Sequence, residues 1–141
     1  MKRIIDIHMH VIPDADDGPD TMEEALELLR RSSEQGVTDI IATSHDSAFF
    51  GKAEQTVLKY LDLKRAAAEA NIPVSLYLGA ELYLDLKHME SDILPKLKDG
   101  SYSTLNGTKY VLVEFSTRER EEDICACLDC LLEEGYYSET G

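Results

Sequence analysis

The sequence is poor in basic residues, and this shortage excludes two classes of partner. Its 14 lysines and arginines stand against 28 aspartates and glutamates, which leaves a formal net charge of −14. A protein that binds nucleic acid or an anionic membrane through a basic surface needs the opposite balance. The composition therefore argues against both partners, while it is compatible with carboxylates gathered around bound cations.

Cysteines are also few, and all three lie in one segment, as Cys125, Cys127 and Cys130. An odd number of cysteines in a chain without an export signal does not indicate a disulfide framework. A C-x-C-x-x-C metal or redox site is the alternative, but no second cysteine pair stands elsewhere to complete a tetrahedral set. Helical spacing instead predicts that Cys127 is a core residue of the last helix.

Long apolar runs are missing as well, so the sequence predicts no membrane span. The N-terminus lacks the succession of basic, apolar and small residues that forms a secretory signal, and we therefore expect a cytoplasmic protein. The 141 residues, 43% of them hydrophobic and 30% charged, are enough for one folded domain with a core.

The most informative stretch is residues 4–18, IIDIHMHVIPDADDG. Its apolar start predicts a buried strand, from which Asp6, His8 and His10 would project on one side. Two imidazoles on one face can chelate a divalent transition metal, and a neighbouring carboxylate can orient a ligating ring. The loop that follows adds oxygen donors from Asp14, Asp16 and Asp17. The alternative is a strand end with two surface histidines and a solvated acidic turn, because short motifs often match by chance.

Beyond this stretch, strand and helix patterns alternate. Thr21 and Glu24 form a capping-box pattern that predicts the start of a helix, and Gly36 is placed to end it. Further strands are predicted over 37–42, 74–79 and 110–115, and a second helix over 53–70. A last helix would place on its core face Ile124, Cys127, Leu128, Leu131 and Leu132. Four alternations of this kind are typical of a parallel α/β sheet or barrel.

Two shorter segments carry weaker signals. Residues 82–99 are predicted to be helical in part, with an interruption near Pro95. Asn106 and Gly107 suggest a tight hairpin turn before the fourth strand. His88, in the polar stretch after the third strand, is interpreted as a surface residue.

Metal-binding residue types recur where the predicted strands end. They are His8 and His10 after the first strand, His45 after the second, Glu81 after the third and Glu114 at the end of the fourth. Active sites of parallel α/β folds are built at the C-terminal ends of the strands. Each residue alone has an ordinary explanation, but five at equivalent places predict one shared site.

These residues lie in four segments that resemble the polymerase-and-histidinol-phosphatase (PHP) superfamily. The segments are DIHMHVIPDADDGPDTMEEALELL, GVTDIIATSH, LGAELYL and KYVLVEF. Within the superfamily the chain is most similar to bacterial protein-tyrosine phosphatases encoded with capsule and exopolysaccharide genes. The DDG followed by a threonine-capped helix is more specific than His-x-His alone.

The resemblance implies a distorted (βα)₇ barrel, of which about four βα units are present, with clustered divalent metals at its mouth. Manganese is the implied metal, with zinc or iron as alternatives. The ligands implied by motif are His8, His10, Asp17, His45, Glu81 and Glu114. Metals held there would bind phosphate oxygens and lower the pKa of a bound water, so no cysteine nucleophile is required.

The function implied is hydrolysis of phosphotyrosine on a bacterial capsule-type tyrosine kinase, which would regulate capsule and exopolysaccharide synthesis. A histidinol-phosphate or other small-phosphoester hydrolase is the alternative within the superfamily. A catalytically silent metal- or partner-binding chain is the alternative outside it.

The sequence also departs from the family pattern. Ser44 stands where the family usually has proline, Asp46 where it has an aromatic residue or histidine, and Ser116 where it has proline. Residues 1–141 are expected to form a single PHP-type domain that is truncated at the C-terminus. The expected consequences are an open sheet edge and exposed apolar helix faces, which would lead either to aggregation or to pairing with a second copy.

Overall fold

Strands and helices alternate along the chain as the sequence predicts. The computed structural model describes residues 2–46 and 53–140. In chain order its strands and α-helices are β1 Ile4–Met9, α1 Met22–Glu34, β2 Val37–Ala42, β3 His45–Asp46, α2 Ala53–Glu69, β4 Ser75–Leu78, β5 Glu81–Tyr83, α3 Leu94–Asp99, β6 Tyr110–Glu114, α4 Glu121–Glu133 and β7 Tyr137–Thr140. No helix within the described residues is long and apolar enough to cross a membrane.

The strands form two small sheets in which every pairing is parallel, which confirms the predicted α/β class. One sheet has the order β1-β2-β4 and the other the order β3-β5-β6-β7. Only two residues separate β2 from β3, and only two separate β4 from β5. The third strand predicted over 74–79 is β4, and a further short strand that was not predicted, β5, follows it and belongs to the other sheet.

The first helix begins and ends as its sequence predicts. The Thr21 hydroxyl accepts a hydrogen bond from the Glu24 backbone N–H at 3.2 Å. The Glu24 carboxylate accepts from the Asp20 N–H at 2.9 Å, one residue before the usual capping-box partner. Gly36, at φ +95°, takes the left-handed conformation that ends a helix. These contacts fix where the chain leaves the preceding acidic loop.

Two apolar clusters form the core. The first packs α1 and α2 against β2 and β4, and its fully buried members include Leu29, Ile40 and Leu63. The second packs α3 and α4 against β5 and β6. Cys127 lies fully buried in this second cluster, as predicted, and burial raises the pKa of its thiol to about 11. Leu132 was predicted on the same face, but it is 59% exposed because Leu131 takes the core position.

The prediction that the first strand is buried is wrong for its isoleucines. Ile4, Ile5 and Ile7 are 40%, 53% and 42% exposed. Among the described residues β1 pairs only with β2, so it is an edge strand. An edge strand can expose apolar side chains that a central strand of the same composition would bury. In the described part of the second sheet, β3 and β7 are the edge strands.

The hairpin predicted at Asn106 and Gly107 is also wrong. Residues Leu105–Gly107 form a short 3₁₀ turn, with Asn106 at φ +52°, and β6 pairs in parallel with β5 and β7. The segment before it is partly helical, as predicted. A π-helical turn over Met89–Ile93 changes to α3 around Pro95, which stands in the first turn of α3.

Candidate metal centre

The structure brings together the six side chains predicted to bind metal near the place where the chain passes from one sheet to the other. His8 lies near the end of β1 and His10 just beyond it. His45 opens β3, Glu81 opens β5 and Glu114 ends β6. Parallel strands deliver their ends to one edge, and that geometry brings residues far apart in sequence into contact.

Glu81 stands at the middle of the centre. Its carboxylate is 6% exposed, and its Oε2 lies 2.8 Å from His8 Nε2. Its Oε1 lies 3.2 Å from His10 Nε2 and 3.1 Å from His45 Nδ1. The Nε2 atoms of His8 and His10 are themselves 3.2 Å apart. One buried carboxylate therefore contacts all three imidazoles of the centre.

His45 and the acidic loop extend the centre on both sides of Glu81. His45 Nδ1 lies 2.7 Å from Glu114 Oε1. His45 Nε2 lies 3.4 Å from Asp17 Oδ1, an atom that is also 2.8 Å from His10 Nδ1. The rings of His10 and His45 meet edge to face, with their centroids 4.4 Å apart. Asp17, whose side chain is 71% exposed, therefore lies at the rim between two histidines.

Asp16 belongs to the centre, although the predicted ligand set leaves it out. Its carboxylate is 5% exposed and lies 3.3 Å from His10 Nδ1. It accepts hydrogen bonds from the backbone N–H groups of Gly18, at 3.0 Å, and His45, at 2.9 Å. The DADDG segment was the available signal, because it marked Asp16 as an oxygen donor. The family motif pointed only to its neighbour Asp17.

The acidic loop is compact because of two local features. A Cβ on Gly18 would lie 2.5 Å from the His10 carbonyl oxygen, so only glycine fits against this backbone. Asp14, at φ +52°, donates its N–H to the Pro19 carbonyl at 2.9 Å and closes the loop. These contacts turn Asp16 and Asp17 towards His10.

Two acidic residues considered from the sequence do not join the centre. Asp14 points away from the histidines, with its side chain 86% exposed and 3.4 Å from Lys59. Asp6 accepts a hydrogen bond from the His8 backbone N–H at 3.0 Å, and among the described residues its carboxylate has no contact with an imidazole ring. His88, 47% exposed, pairs with Asp85 outside the centre, in agreement with its interpretation as a surface residue.

Electrostatics hold a proton among these groups when no cation is bound. The hydrogen bond to Asp16 outweighs burial and, with those of Asp17 and the charge of Glu81, raises the pKa of His10 to about 9. Asp16 has more effect than the closer Asp17 because water screens the exposed carboxylate of Asp17. Burial raises the pKa of Asp16, but hydrogen bonds from His10, His45 and Gly18 outweigh it and lower the net value. Its hydrogen bond with His10 likewise lowers the pKa of Asp17.

The donor set fits divalent transition metals. Three groups of donors have all their ligand atoms within 4.8 Å of one another: His10, Asp16, Asp17 and His45; His8, His10 and Glu81; and His45, Glu81 and Glu114. Imidazole nitrogen suits Zn, Cu, Fe and Ni, and carboxylate oxygen suits Mg, Ca and Mn. Because the groups share His10, His45 and Glu81, the arrangement suits more than one adjacent ion.

A parallel α/β fold with imidazoles and carboxylates gathered where its strands meet has the donor set of a divalent-metal site. The chain belongs to the capsular polysaccharide synthesis family CpsB/CapC, which matches residues 4–139. This match confirms the resemblance seen in the sequence.

Several relatives are tyrosine phosphatases by name. The chain is 39% identical over 131 residues to tyrosine-protein phosphatase CpsB of Streptococcus agalactiae, covering 92% of this chain and 52% of the relative. It is 31% identical over 118 residues to the putative tyrosine-protein phosphatase CapC of Staphylococcus aureus, covering 82% and 44%. The chain thus spans about half the length of the curated relatives it matches.

The fold is similar to that of solved relatives. One comes from the crystal structures of YwqE from Bacillus subtilis and CpsB from Streptococcus pneumoniae, described as unique metal-dependent tyrosine phosphatases. It superposes with a TM-score of 0.84 and 25% identity, covering 97% of this chain and 54% of the other.

Proposed function

We propose that this chain carries the first part of the active site of a metal-dependent protein-tyrosine phosphatase, a phosphoric monoester hydrolase. The observation that supports this most directly is the convergence of three overlapping histidine and carboxylate groups in a chain of the CpsB/CapC family. Relatives that share this stretch are named tyrosine-protein phosphatases.

The proposed metal ligands are His8, His10, Asp17, His45, Glu81 and Glu114, with Asp16 added from the structure. We assign Mn²⁺ as the metal, supported by the mixture of imidazoles with an excess of hard carboxylate oxygens. When bound, a divalent metal supplies a Lewis acid that stabilises negative charge on a phosphoryl group and activates a water.

The residues of this chain have separable tasks. Glu81, buried and in contact with all three histidines, fixes the imidazoles relative to one another. Asp16 orients His10 and is itself held by two backbone N–H groups. Asp17, exposed at the rim, would hold a metal on the side of the centre that is open to solvent. Such preorganisation removes reorganisation cost at the moment of reaction.

We also propose that residues 1–141 belong to one domain and form part of a distorted (βα)₇ barrel. The uniformly parallel pairing supports it. So do the backbone hydrogen bonds from Gly79 to Ala42 and from Glu81 to Ser44, which continue from one sheet to the other.

The proposed substrate is phosphotyrosine on a bacterial tyrosine kinase of the capsule type, in the cytoplasm. The names of the relatives and the capsular polysaccharide role of the family support this substrate class. A small-phosphoester hydrolase, with histidinol phosphate as the type substrate, is the alternative that the same metal chemistry allows. The second alternative is a chain that binds metal but has no catalytic activity.

The test is hydrolysis of a phosphotyrosine peptide by the 141-residue chain with added Mn²⁺, repeated with EDTA and with histidinol phosphate. The double variant His8→Ala/His10→Ala should lose Mn²⁺ binding and turnover, while His88→Ala, which changes a histidine outside the centre, should keep both. Metal-dependent turnover of the peptide supports the proposal, and a preference for histidinol phosphate supports the alternative. A folded chain that binds Mn²⁺ without turnover would be a binding module.

A further inference from the structure

One contact ties a helix that carries no proposed ligand to the acidic loop of the metal centre. Lys59, in the second turn of α2, donates a hydrogen bond from its Nζ to the Asp14 backbone carbonyl. The same Nζ lies 3.4 Å from Asp14 Oδ2. The Lys59 side chain is 33% exposed, so its apolar stem is largely covered while its ammonium group reaches the loop.

The contact between Lys59 and Asp14 lies at the start of the loop that carries Asp16 and Asp17. Asp14 is the first residue of the 14–19 loop, takes a left-handed backbone conformation and donates its N–H to the Pro19 carbonyl. Asp16 and Asp17 lie between these two anchor points. Farther along, Asp16 is held by the His45 backbone N–H. The loop is therefore fastened at its start by α2 and at its middle by β3.

We propose that Lys59 is a positioning residue that holds the 14–19 loop so that Asp16 and Asp17 meet His10. It contacts no proposed ligand side chain in the described contacts and acts through the backbone of Asp14. Losing it should weaken divalent-metal binding. This inference rests on the metal centre of the proposed function, and it assigns a role to a residue outside that centre.

Electrostatics alone makes the opposite prediction, which makes the inference sharply testable. Lys59 is a positive charge beside an acidic cation site, and like charges repel. If Lys59 affected the site only through its charge, replacing it with a neutral residue would strengthen cation binding. If it positions the loop, the same replacement weakens cation binding, because groups that orient metal ligands typically contribute about 10- to 100-fold in affinity. The sign of the change decides between the two.

The experiment compares Lys59→Met with Lys64→Met in the full chain. Lys64 is an exposed lysine on the same helix, and its replacement changes the net charge by the same amount. The dissociation constant for Mn²⁺ is measured by calorimetric titration, and thermal unfolding in EDTA reports the metal-free fold. We expect Lys59→Met to bind Mn²⁺ about tenfold more weakly, and Lys64→Met to bind equally or slightly more tightly. Lys59→Arg should restore most of the affinity, since its guanidinium can donate to the same carbonyl.

Stronger or unchanged Mn²⁺ binding by Lys59→Met counts against the inference. Tighter binding by Lys59→Met would show that Lys59 acts on the site through its charge, and equal binding would show that it does not hold the loop. Unchanged Mn²⁺ binding with a raised KM for a phosphotyrosine peptide would make Lys59 a substrate contact instead. If Lys59→Met does not fold, Lys59→Gln replaces it, and it should also bind more weakly than wild type because its side chain is one bond shorter than lysine and does not hold the Asp14 carbonyl in the same position. Failure of the metal centre itself looks different, because the wild-type chain would then not bind Mn²⁺. Failure of the phosphatase assignment alone would leave Mn²⁺ binding without turnover of the phosphotyrosine peptide.

Discussion

Replacing Glu81 with glutamine is the most direct perturbation of the metal centre. The side chain is 6% exposed, and its two oxygens lie 2.8–3.2 Å from nitrogens of His8, His10 and His45. Glutamine has nearly the same shape, so packing is conserved while one negative charge is removed. Its amide NH₂ would also replace one acceptor oxygen with a donor facing an imidazole.

The expected magnitude follows from the charge that is lost. Two unit charges 4 Å apart interact by about 4 kcal/mol at an effective dielectric constant of 20, and a divalent ion roughly doubles this. The lower desolvation cost of glutamine and its remaining carbonyl oxygen offset much of that loss. A net loss of about one third, or roughly 3 kcal/mol, corresponds to about 100-fold weaker binding. We expect the dissociation constant for Mn²⁺ to rise by at least this factor and phosphatase turnover to fall by orders of magnitude.

The assay is calorimetric titration of Mn²⁺ into wild type, Glu81→Gln and the matched control Glu69→Gln, an exposed glutamate on α2. Unfolding in EDTA, followed by circular dichroism, checks that the variants fold without metal. Mn²⁺ affinity of Glu81→Gln within a few fold of wild type, in a folded protein, would remove Glu81 from the site and refute the assignment of the shared central carboxylate.

Three further predictions concern the loop, the sheet and the cysteines. Gly18→Ala should weaken Mn²⁺ binding about tenfold in the same titration, because its Cβ would lie 2.5 Å from the His10 carbonyl oxygen; wild-type affinity would show that the loop relaxes freely. The hydrogen bond from Arg3, helped by that from Thr38, lowers the pKa of Asp39 from 3.8 to about 2. The contribution of Asp39 to stability is therefore present above about pH 4 and lost as the pH falls towards 2. The difference in unfolding temperature between wild type and Asp39→Asn should disappear over that range. A difference that stays constant with pH would contradict this. Cys127→Ala should lower the free energy of unfolding by about 1 kcal/mol and leave Mn²⁺ affinity unchanged. Lost Mn²⁺ affinity in the folded variant would favour the alternative that the cysteines form a metal or redox site.

Sequence patterns predicted the parts of the fold that depend on local signals. The capping residues Thr21 and Glu24 mark the start of α1, and Gly36 marks its end, because each acts within one helical turn. The convergence of His45 and Glu81 was also predictable, since parallel strands present their C-terminal ends at one edge. Neither inference requires knowledge of which strand is central.

Properties that depend on where a strand or loop lies in the folded protein could not be predicted from local sequence. The isoleucines of β1 have the composition of a buried strand, yet their exposure follows from the edge position of β1, which the sequence does not encode locally. The role of Asp16 depends on backbone N–H groups from Gly18 and His45, one of them 29 residues away. Asn106 and Gly107 carry a hairpin signal that the parallel pairing of β6 overrides.

The break between the two sheets explains why the metal centre lies where it does. After β2 and β4 the chain leaves one sheet and enters the other within two residues, and the first residues of the new strands are His45 and Glu81, which pair in register. Two segments of the chain approach closely at this break, since a Cβ on Gly79 would lie 2.9 Å from the Ile41 side chain. Side chains that pair in register on neighbouring strands face the same side of a sheet. His45 and Glu81 therefore lie side by side, and both contact His10, which follows β1.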